Sequence, residues 1–429
     1  MKHTIIETRK IIYLLMAVTF GLQLLVCFSF DMTYAGDAKV VLDSAKHQLQ
    51  GGLKYFDIIY FLNNPNNIML LYLDMFFLRL GDLLHISGVN LLSVAGMMLS
   101  TIATGLSACL CWEITRSKTL TYILYVTCAF LICFNPWCAV PYTDVFSVCI
   151  PIAVFYRYEI NILKGKTGWR RIYLPLLLSF LGILLKPTCI FAGIAILMVE
   201  LARLIKTQNT MRKLGQIVAV IAGVLVLCIA GLKIEKIGVN YKTDEAYLKP
   251  WTHYVMMGLN EKKYGRYYRV DDEYTNSFTS KEDKIAANKK IIQERLEKMG
   301  VAGYVSFAGK KTINTYSDGS FAWGIWSKDS NQIVLKELRN VIWIILLISS
   351  FANTIAVVVV GAFMKRVYSW GEMAMVFMGA MVWLYLLIFE TGARYLYMFA
   401  PCYILVGFLG IYKIVSKLCK KEIVDYAKK

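Results

Sequence analysis

Apolar residues along this chain are gathered in runs of roughly 15 to 25 positions, and short charged segments separate the runs. A helix needs about 20 apolar residues to cross the hydrocarbon core of a bilayer. Because backbone polar groups must be satisfied within the helix inside lipid, the pattern predicts an all-α polytopic membrane protein. The predicted spans are residues 11–30, 91–113, 119–136, 145–163, 172–186, 189–206, 214–236, 338–362, 372–390 and 395–416.

One further stretch, residues 67–87, is apolar but contains Asp74, Arg79 and Asp82. A span at this point would invert the orientation of every later loop. We therefore interpret the stretch as an interfacial or re-entrant helix on the outer side of the membrane. An eleventh span is the alternative that the pattern leaves open.

Lys and Arg residues occupy the short segments between spans, for example at Arg116 and Lys118 and at Arg170 and Arg171. Basic loops stay in the cytoplasm, so ten crossings place both termini inside. The predicted organisation has three parts. They are an N-terminal transmembrane module at 1–236 with a first outer loop at 31–90, an extracytoplasmic loop domain at 237–337, and C-terminal transmembrane helices with a basic cytoplasmic tail at 338–429.

The long outer loop, residues 237–337, is too large and too polar to be a linker. Ser280 precedes the acidic residues Glu282 and Asp283, and apolar positions then recur with helical spacing until Gly300. This arrangement is typical of a capped amphipathic helix. We expect the loop to form a small cap that lies on the spans.

Composition changes this picture little. The chain has 429 residues, of which 57% are hydrophobic and 18% charged, and its net charge is +18. Since the positive charge lies in the predicted inner loops, we interpret it as contact with anionic lipid and predict no nucleic-acid partner. The 11 cysteines lie almost wholly in apolar runs, which argues against a disulfide framework or a cysteine zinc site. We predict no metal site and no cofactor, and a requirement for a divalent metal stays open as an alternative that the sequence does not support.

Charged and polar residues of complementary chemistry recur at the predicted outer ends of the spans. A carboxylate can orient or deprotonate a hydroxyl nucleophile, while Lys and Arg can hold a phosphate. Each residue also has an ordinary explanation: a helix-end carboxylate for Asp37, helix capping for Tyr142 and Asp144, and a lysine that reaches the headgroups for Lys186. A structural ion pair between Glu390 and Arg394 is the corresponding alternative at the last outer turn.

The segments that carry these residues resemble the GT-C glycosyltransferases, which include protein O-mannosyltransferases and aminoarabinose transferases. The resemblance rests on Tyr34-Ala35-Gly36-Asp37, Tyr60 to Asn67, Pro141-Tyr142-Thr143-Asp144, Leu185-Lys186-Pro187 and Glu390 to Tyr395. Three segments of the long loop look like integral membrane glycosyltransferases of Gram-positive bacteria: Met257 to Asn260, Gly265 to Tyr267 and Asp318 to Phe321.

The resemblance implies a GT-C-like bundle of about 10–11 transmembrane helices with outer juxtamembrane helices and one large outer loop. It implies that Asp37 is the catalytic base. It further implies that Tyr142, Asp144 and Glu390 bind acceptor or donor, and that Lys186, Arg394 and Tyr395 contact a lipid phosphate. The usual Asp-Glu pair of the family is Asp37-Ala38 here, which favours a metal-independent route.

The expected function is inverting transfer of a sugar from a polyprenyl-phosphate donor at the extracytoplasmic face of the cell membrane. Cell-wall polysaccharide, teichoic acid, glycolipid and protein all remain open as the acceptor, and the sugar is undetermined. A flippase or transporter of lipid-linked sugars is one alternative, and a polymerase or ligase of lipid-linked glycans is another.

Overall fold

The computed structural model describes residues 2–28, 33–204, 210–239, 242, 244–328, 336–363 and 369–418. The predicted basic tail beyond Leu418 and the start of the first outer loop, residues 31 and 32, lie outside these residues. The helices are α1 (Lys2–Phe28), α2 (Gly36–Leu49), α3 (Tyr55–Asn63), α4 (Ile68–Leu84), α5 (Gly88–Thr115), α6 (Lys118–Cys128), α7 (Thr143–Phe146), α8 (Cys149–Leu163), α9 (Trp169–Leu185), α10 (Ile190–Leu204), α11 (Thr210–Gly238), α12 (Trp251–Gly258), α13 (Arg269–Asn276), α14 (Lys281–Tyr316), α15 (Trp323–Trp326), α16 (Lys336–Phe363), α17 (Trp370–Ile388) and α18 (Ala400–Leu418).

Helices account for most of the described chain and include segments that could cross a membrane, which confirms the predicted all-α polytopic fold class. Eight helical segments of the described ranges are long and apolar enough: Ile6–Leu25, Gly88–Thr115, Thr143–Leu163, Pro187–Leu204, Leu214–Ile234, Lys336–Val359, Trp370–Ile388 and Ala393–Leu418. The other two predicted spans are shorter helices. Residues 119–136 correspond to Lys118–Cys133, and residues 172–186 correspond to α9, which has 17 residues.

Helix α5 forms the centre of the bundle and packs against α1, α4, α6, α8 and α18. Its span is 72% buried, whereas the spans of α1 and α11 are 22% and 17% buried. The small residue Gly96 lets the backbone at Cys138 approach, because a Cβ at this position would collide with the Cys138 carbonyl. Most of the apolar surface of α1 and α11 is exposed on the bundle, where it is available to lipid.

The stretch predicted to be interfacial, residues 67–87, forms helix α4. This helix is not among the segments long and apolar enough to span, and it packs against α2 and α5. Its last turns meet the start of α5 closely, since a Cβ on Gly81 would lie 2.5 Å from the Gly88 nitrogen. The placement of α4 in the membrane interface stays a prediction.

Two short strands that the sequence pattern did not predict tie the first outer loop to the end of the long one. Strand β1 (Thr33–Tyr34) pairs antiparallel with β2 (Ser327–Lys328), with Tyr34 opposite Ser327. The Ala35 nitrogen also donates to the Trp326 carbonyl at 2.7 Å. Segments nearly 300 residues apart in the chain therefore meet beside Asp37.

The long outer loop contains α12 to α15, and its main helix begins as predicted. Ser280 is the N-cap of α14, and its hydroxyl accepts a hydrogen bond from the Asp283 nitrogen at 3.1 Å. The predicted end of this first helix at Gly300 is confirmed, because the backbone of Gly300 is not helical and separates two helices within α14. Gly300 has φ of +58° and bends the chain, but helical structure resumes and continues to Tyr316.

The contact between α4 and α5 generates a prediction about packing. Replacing Gly81 with Ala forces a methyl group against the backbone of Gly88, so we expect a loss of about 1–3 kcal/mol in the free energy of unfolding. Gly21 in α1 has open space around it, and Gly21→Ala is the matched control, expected to be neutral or slightly stabilising. Thermal unfolding of both variants in detergent measures the difference, and equal midpoints would contradict the close packing.

Candidate functional site

Asp37 lies in the first turn of α2, where the local backbone positions it beside Tyr142. Gly36 has φ of +60°, and a Cβ there would meet the Trp326 ring at 3.0 Å, so only glycine fits comfortably at the start of this helix. Tyr142 donates a hydrogen bond from its hydroxyl to Asp37 Oδ2 at 3.2 Å. Burial, together with the Asp37 charge, raises the pKa of Tyr142 and keeps its hydroxyl protonated as the donor.

Asp144 forms the second centre of charge. Its side chain is fully buried in the first turn of α7. It accepts a hydrogen bond from Lys186 Nζ on Oδ1 and one from Arg394 Nη1 on Oδ2 at 3.3 Å. Cationic partners stabilise the charged form of a buried carboxylate, and Asp144 has two. Both local alternatives are therefore wrong: Lys186 is 8% exposed instead of reaching the headgroups, and Asp144 holds cations instead of only capping a helix.

Lys186 and Arg394 reach Asp144 because two helices end beside it. Helix α9 stops at Leu185, and Pro187 cannot continue it, so Lys186 has extended backbone with φ of −149°. Helix α17 stops at Ile388, and the chain turns before Arg394. The two turns deliver one cation each to the same acid.

Glu390 joins the cluster through Tyr395. The Tyr395 hydroxyl donates to Glu390 Oε1 at 3.1 Å, and Arg394 Nη2 donates to the Tyr395 oxygen at 3.3 Å. Glu390 and Arg394 are therefore connected through the Tyr395 hydroxyl, and not by the direct ion pair considered as the alternative. Desolvation raises the pKa of the Glu390 carboxyl, and the Arg394 guanidinium opposes that rise.

Aromatic rings enclose the Arg394 guanidinium. Its central carbon lies 4.4 Å from the ring centre of Trp326, 4.6 Å from that of Tyr395 and 5.1 Å from that of Tyr142. Each contact is a cation–π interaction and fixes the orientation of the side chain. All seven residues predicted for the site thus lie in one connected cluster.

Sequence reasoning missed Trp326, Tyr60 and Asn67. Trp326 reaches the site through the pairing of β1 with β2, and the only signal was an aromatic-rich segment in the outer loop. Asn67 donates to the Tyr60 hydroxyl at 2.6 Å, and burial raises the pKa of Tyr60. The stretch from Tyr60 to Asn67 carried part of the family resemblance, but no role was assigned to its side chains.

The outer loop also contacts the turn that carries Glu390. The Glu390 nitrogen donates to the Tyr254 carbonyl at 2.9 Å, and the Thr391 nitrogen donates to the Gly265 carbonyl at 2.8 Å. Within the described ranges, no group of three His, Cys, Asp or Glu side chains could hold a metal ion. The cluster offers instead a separate carboxylate, Asp37, facing a buried pair of cations.

Comparison with known proteins places the chain in a family. The family model described as "Conserved hypothetical integral membrane protein" matches residues 1–415, a range that includes every residue of the cluster. No curated protein and no solved structure matches the chain.

The pairing of Asp144 generates a stability prediction. Asp144→Asn leaves two buried cations without their acid, so we expect a loss of about 3 kcal/mol or more. Asp43 pairs with Lys46 at the surface at 3.3 Å, with both side chains about two-fifths exposed, and Asp43→Asn should cost less than about 1 kcal/mol. Thermal unfolding in detergent compares the two, and similar midpoints would show that Asp144 does not hold the turns together.

The raised pKa of Glu390 generates a prediction about pH. The folded protein binds this proton more tightly than the unfolded chain, so stability falls as the pH rises through the folded pKa. Glu390→Gln removes that loss. The melting temperature of the variant minus that of the unsubstituted protein should therefore increase from pH 4 to pH 8. Glu273, an exposed partner of Arg269, provides the control, since Glu273→Gln should show no such trend. A flat difference for Glu390→Gln would rule out a desolvated carboxyl.

Proposed function

The chain belongs to the family of conserved hypothetical integral membrane proteins, and on that premise we propose that it is a membrane glycosyltransferase. The donor is a sugar linked to polyprenyl phosphate, and the acceptor is an extracytoplasmic glycan, glycolipid or protein. The sugar passes to an acceptor hydroxyl with inversion at the anomeric carbon. The cell membrane is the proposed location, with the site at its outer face.

The observation that carries this proposal is the charge arrangement within the cluster. Lys186 and Arg394 share one buried acid, Asp144, so this group of three retains one net positive charge. A sugar linked to a polyprenyl phosphate carries one negative charge on its phosphodiester. A fixed cation pair in a desolvated setting suits that anion better than a neutral ligand.

The reaction assigns each charged group a step. Asp37 accepts the proton of the acceptor hydroxyl as its oxygen attacks the anomeric carbon. The bond between that carbon and the phosphate oxygen breaks, and its electron pair stays with the phosphate. The leaving polyprenyl phosphate gains a second negative charge, which Lys186 and Arg394 stabilise as it develops.

The surrounding residues orient these groups. Tyr142 holds Asp37 Oδ2 and lies against Arg394, so one side chain connects the base to the cations. Helix α2 begins at Gly36, so Asp37 lies at the positive end of the helix dipole. Trp326 lies between the first outer loop and Arg394, where it limits access of water.

The test is complementation of a deletion strain, with wall polymers and glycolipids analysed by mass spectrometry. We expect the deletion to remove one sugar from one polymer or lipid, and Asp37→Asn to fail to restore it, with transfer reduced at least about 100-fold. Asp43→Asn, six residues along the same helix, should restore the sugar fully and controls for expression and folding.

Three results would overturn the proposal. An unchanged glycan profile in the deletion strain would exclude sugar transfer, and full restoration by Asp37→Asn would exclude Asp37 as the base. A transporter requires two compartments, so we expect the purified protein to consume donor lipid in detergent micelles. Intact donor lipid in those micelles, in the presence of the identified acceptor, would favour transport.

A further inference from the structure

Lys311 is a buried cation outside the cluster, and its partners are backbone carbonyls. The side chain is 1% exposed and lies in the second half of α14, after the bend at Gly300. Its ammonium group donates to the carbonyls of Gly258 at 2.7 Å, Phe389 at 2.8 Å and Leu387 at 3.0 Å. Three acceptors match the three N–H donors of a lysine.

These carbonyls belong to two helix ends. Helix α12 ends at Gly258, and α17 ends at Ile388, between the other two acceptors. The last carbonyls of a helix lack partners within the helix and carry a partial negative charge. Lys311 therefore caps the C-terminal ends of two helices at once, one in the outer loop and one in the membrane bundle.

The packing around Lys311 leaves no room for side chains at two glycines. A Cβ on Gly258 would lie 2.5 Å from the Ile388 carbonyl oxygen, and a Cβ on Gly265 would overlap the Lys311 side chain. Gly265 also has φ of +75°, which favours glycine. The outer loop thus approaches the end of α17 as closely as backbone allows.

Lys311 is one of several contacts that hold the segment from Leu387 to Thr391. The Thr391 hydroxyl lies 2.9 Å from that of Thr315, one helical turn beyond Lys311. The nitrogens of Glu390 and Thr391 donate to outer-loop carbonyls, as described above. Three residues after this segment comes Arg394, whose guanidinium contacts Asp144.

We infer that Lys311 is a positioning residue that fixes the turn after α17, so that Arg394 meets the lipid phosphate. The identity of the ligand rests on the proposed function. The role of Lys311 in holding the turn, which we call the clamp, rests on the contacts alone. The outer loop is then part of the binding site, because Lys311 in the loop sets the position of Arg394, which lies outside the loop. A displacement of about 1 Å at Arg394 is enough to weaken a phosphate contact strongly.

The test of the clamp uses accessibility and needs no enzymatic activity. Thr391 is 2% exposed, and Thr391→Cys places a thiol on the held segment. Lys311→Met in this background should raise the rate of labelling by a membrane-impermeant maleimide roughly tenfold or more, because the segment opens more often. Labelling of the parent protein without Thr391→Cys gives the background from native cysteines.

Lys310→Met is the matched control, because Lys310 is the preceding residue on the exposed side of the same helix. It should leave the labelling rate unchanged. Equal labelling of the Lys311→Met and Lys310→Met proteins would overturn the clamp. If Lys311→Met is not monodisperse, the shorter neutral Lys311→Gln replaces it, and failure of both to fold would show a folding role instead of a positioning one.

A second arm measures binding of undecaprenyl phosphate by the shift in melting temperature with ligand concentration. We expect Lys311→Met to weaken binding about tenfold or more and Lys310→Met to leave it unchanged. Unchanged binding by Lys311→Met would overturn its link to the phosphate site. If the unsubstituted protein does not bind this lipid, the proposed donor is wrong, and the labelling result still decides whether Lys311 holds the turn.

Discussion

The buried Asp144 carboxylate is the contact on which the arrangement of the predicted outer end depends. It accepts from Lys186, 42 residues away in the chain, and from Arg394, 250 residues away. Cations and hydrogen bonds stabilise a charged carboxylate that burial has removed from water. Because α9 and α17 supply those cations just past their ends, both turns must converge on α7. The Arg394 guanidinium also contacts the rings of Trp326 and Tyr142, and the Tyr142 hydroxyl donates a hydrogen bond to Asp37.

An acid shared by two cations is not by itself a sign of a binding site in this protein. Glu113 pairs with Arg9 and Arg116 in the same way, and Glu200 pairs with Arg171 and Arg203. Those four arginines lie in or beside the predicted cytoplasmic loops, where an excess of basic residues is expected. The Asp144 cluster lies at the other ends of the helices. It differs further in lying beside Asp37, a second carboxylate that is held by Tyr142 and forms no ion pair with Lys186 or Arg394. In the proposed function, this second acid is the group that accepts the proton of the acceptor.

The helices were predictable because their signals are local, and the contacts of the site were not. Hydrophobic runs marked each span, and Ser280 marked the start of α14. The meeting of Asp37, Asp144, Lys186 and Arg394 followed from topology alone, since all were expected at one face. Which cation would pair with which acid depends on how α9 and α17 end in space. Trp326 was missed because strands of two residues have no detectable period. Gly300 was a local signal of the same kind, because its positive φ interrupts the helical backbone where the first helix of α14 was expected to end.

The outer loop contacts the cluster at two separate points in its sequence. Near its end, Trp326 lies over Arg394, and in its middle, Lys311 and Thr315 hold the turn that leads to Arg394. A loop that served only as a cover would need neither contact with the turn nor a buried ammonium at its base. Burying that ammonium is costly, and the carbonyls of two helix ends offset the cost only while the loop stays docked. The position of Arg394 is therefore coupled to the docking of the loop.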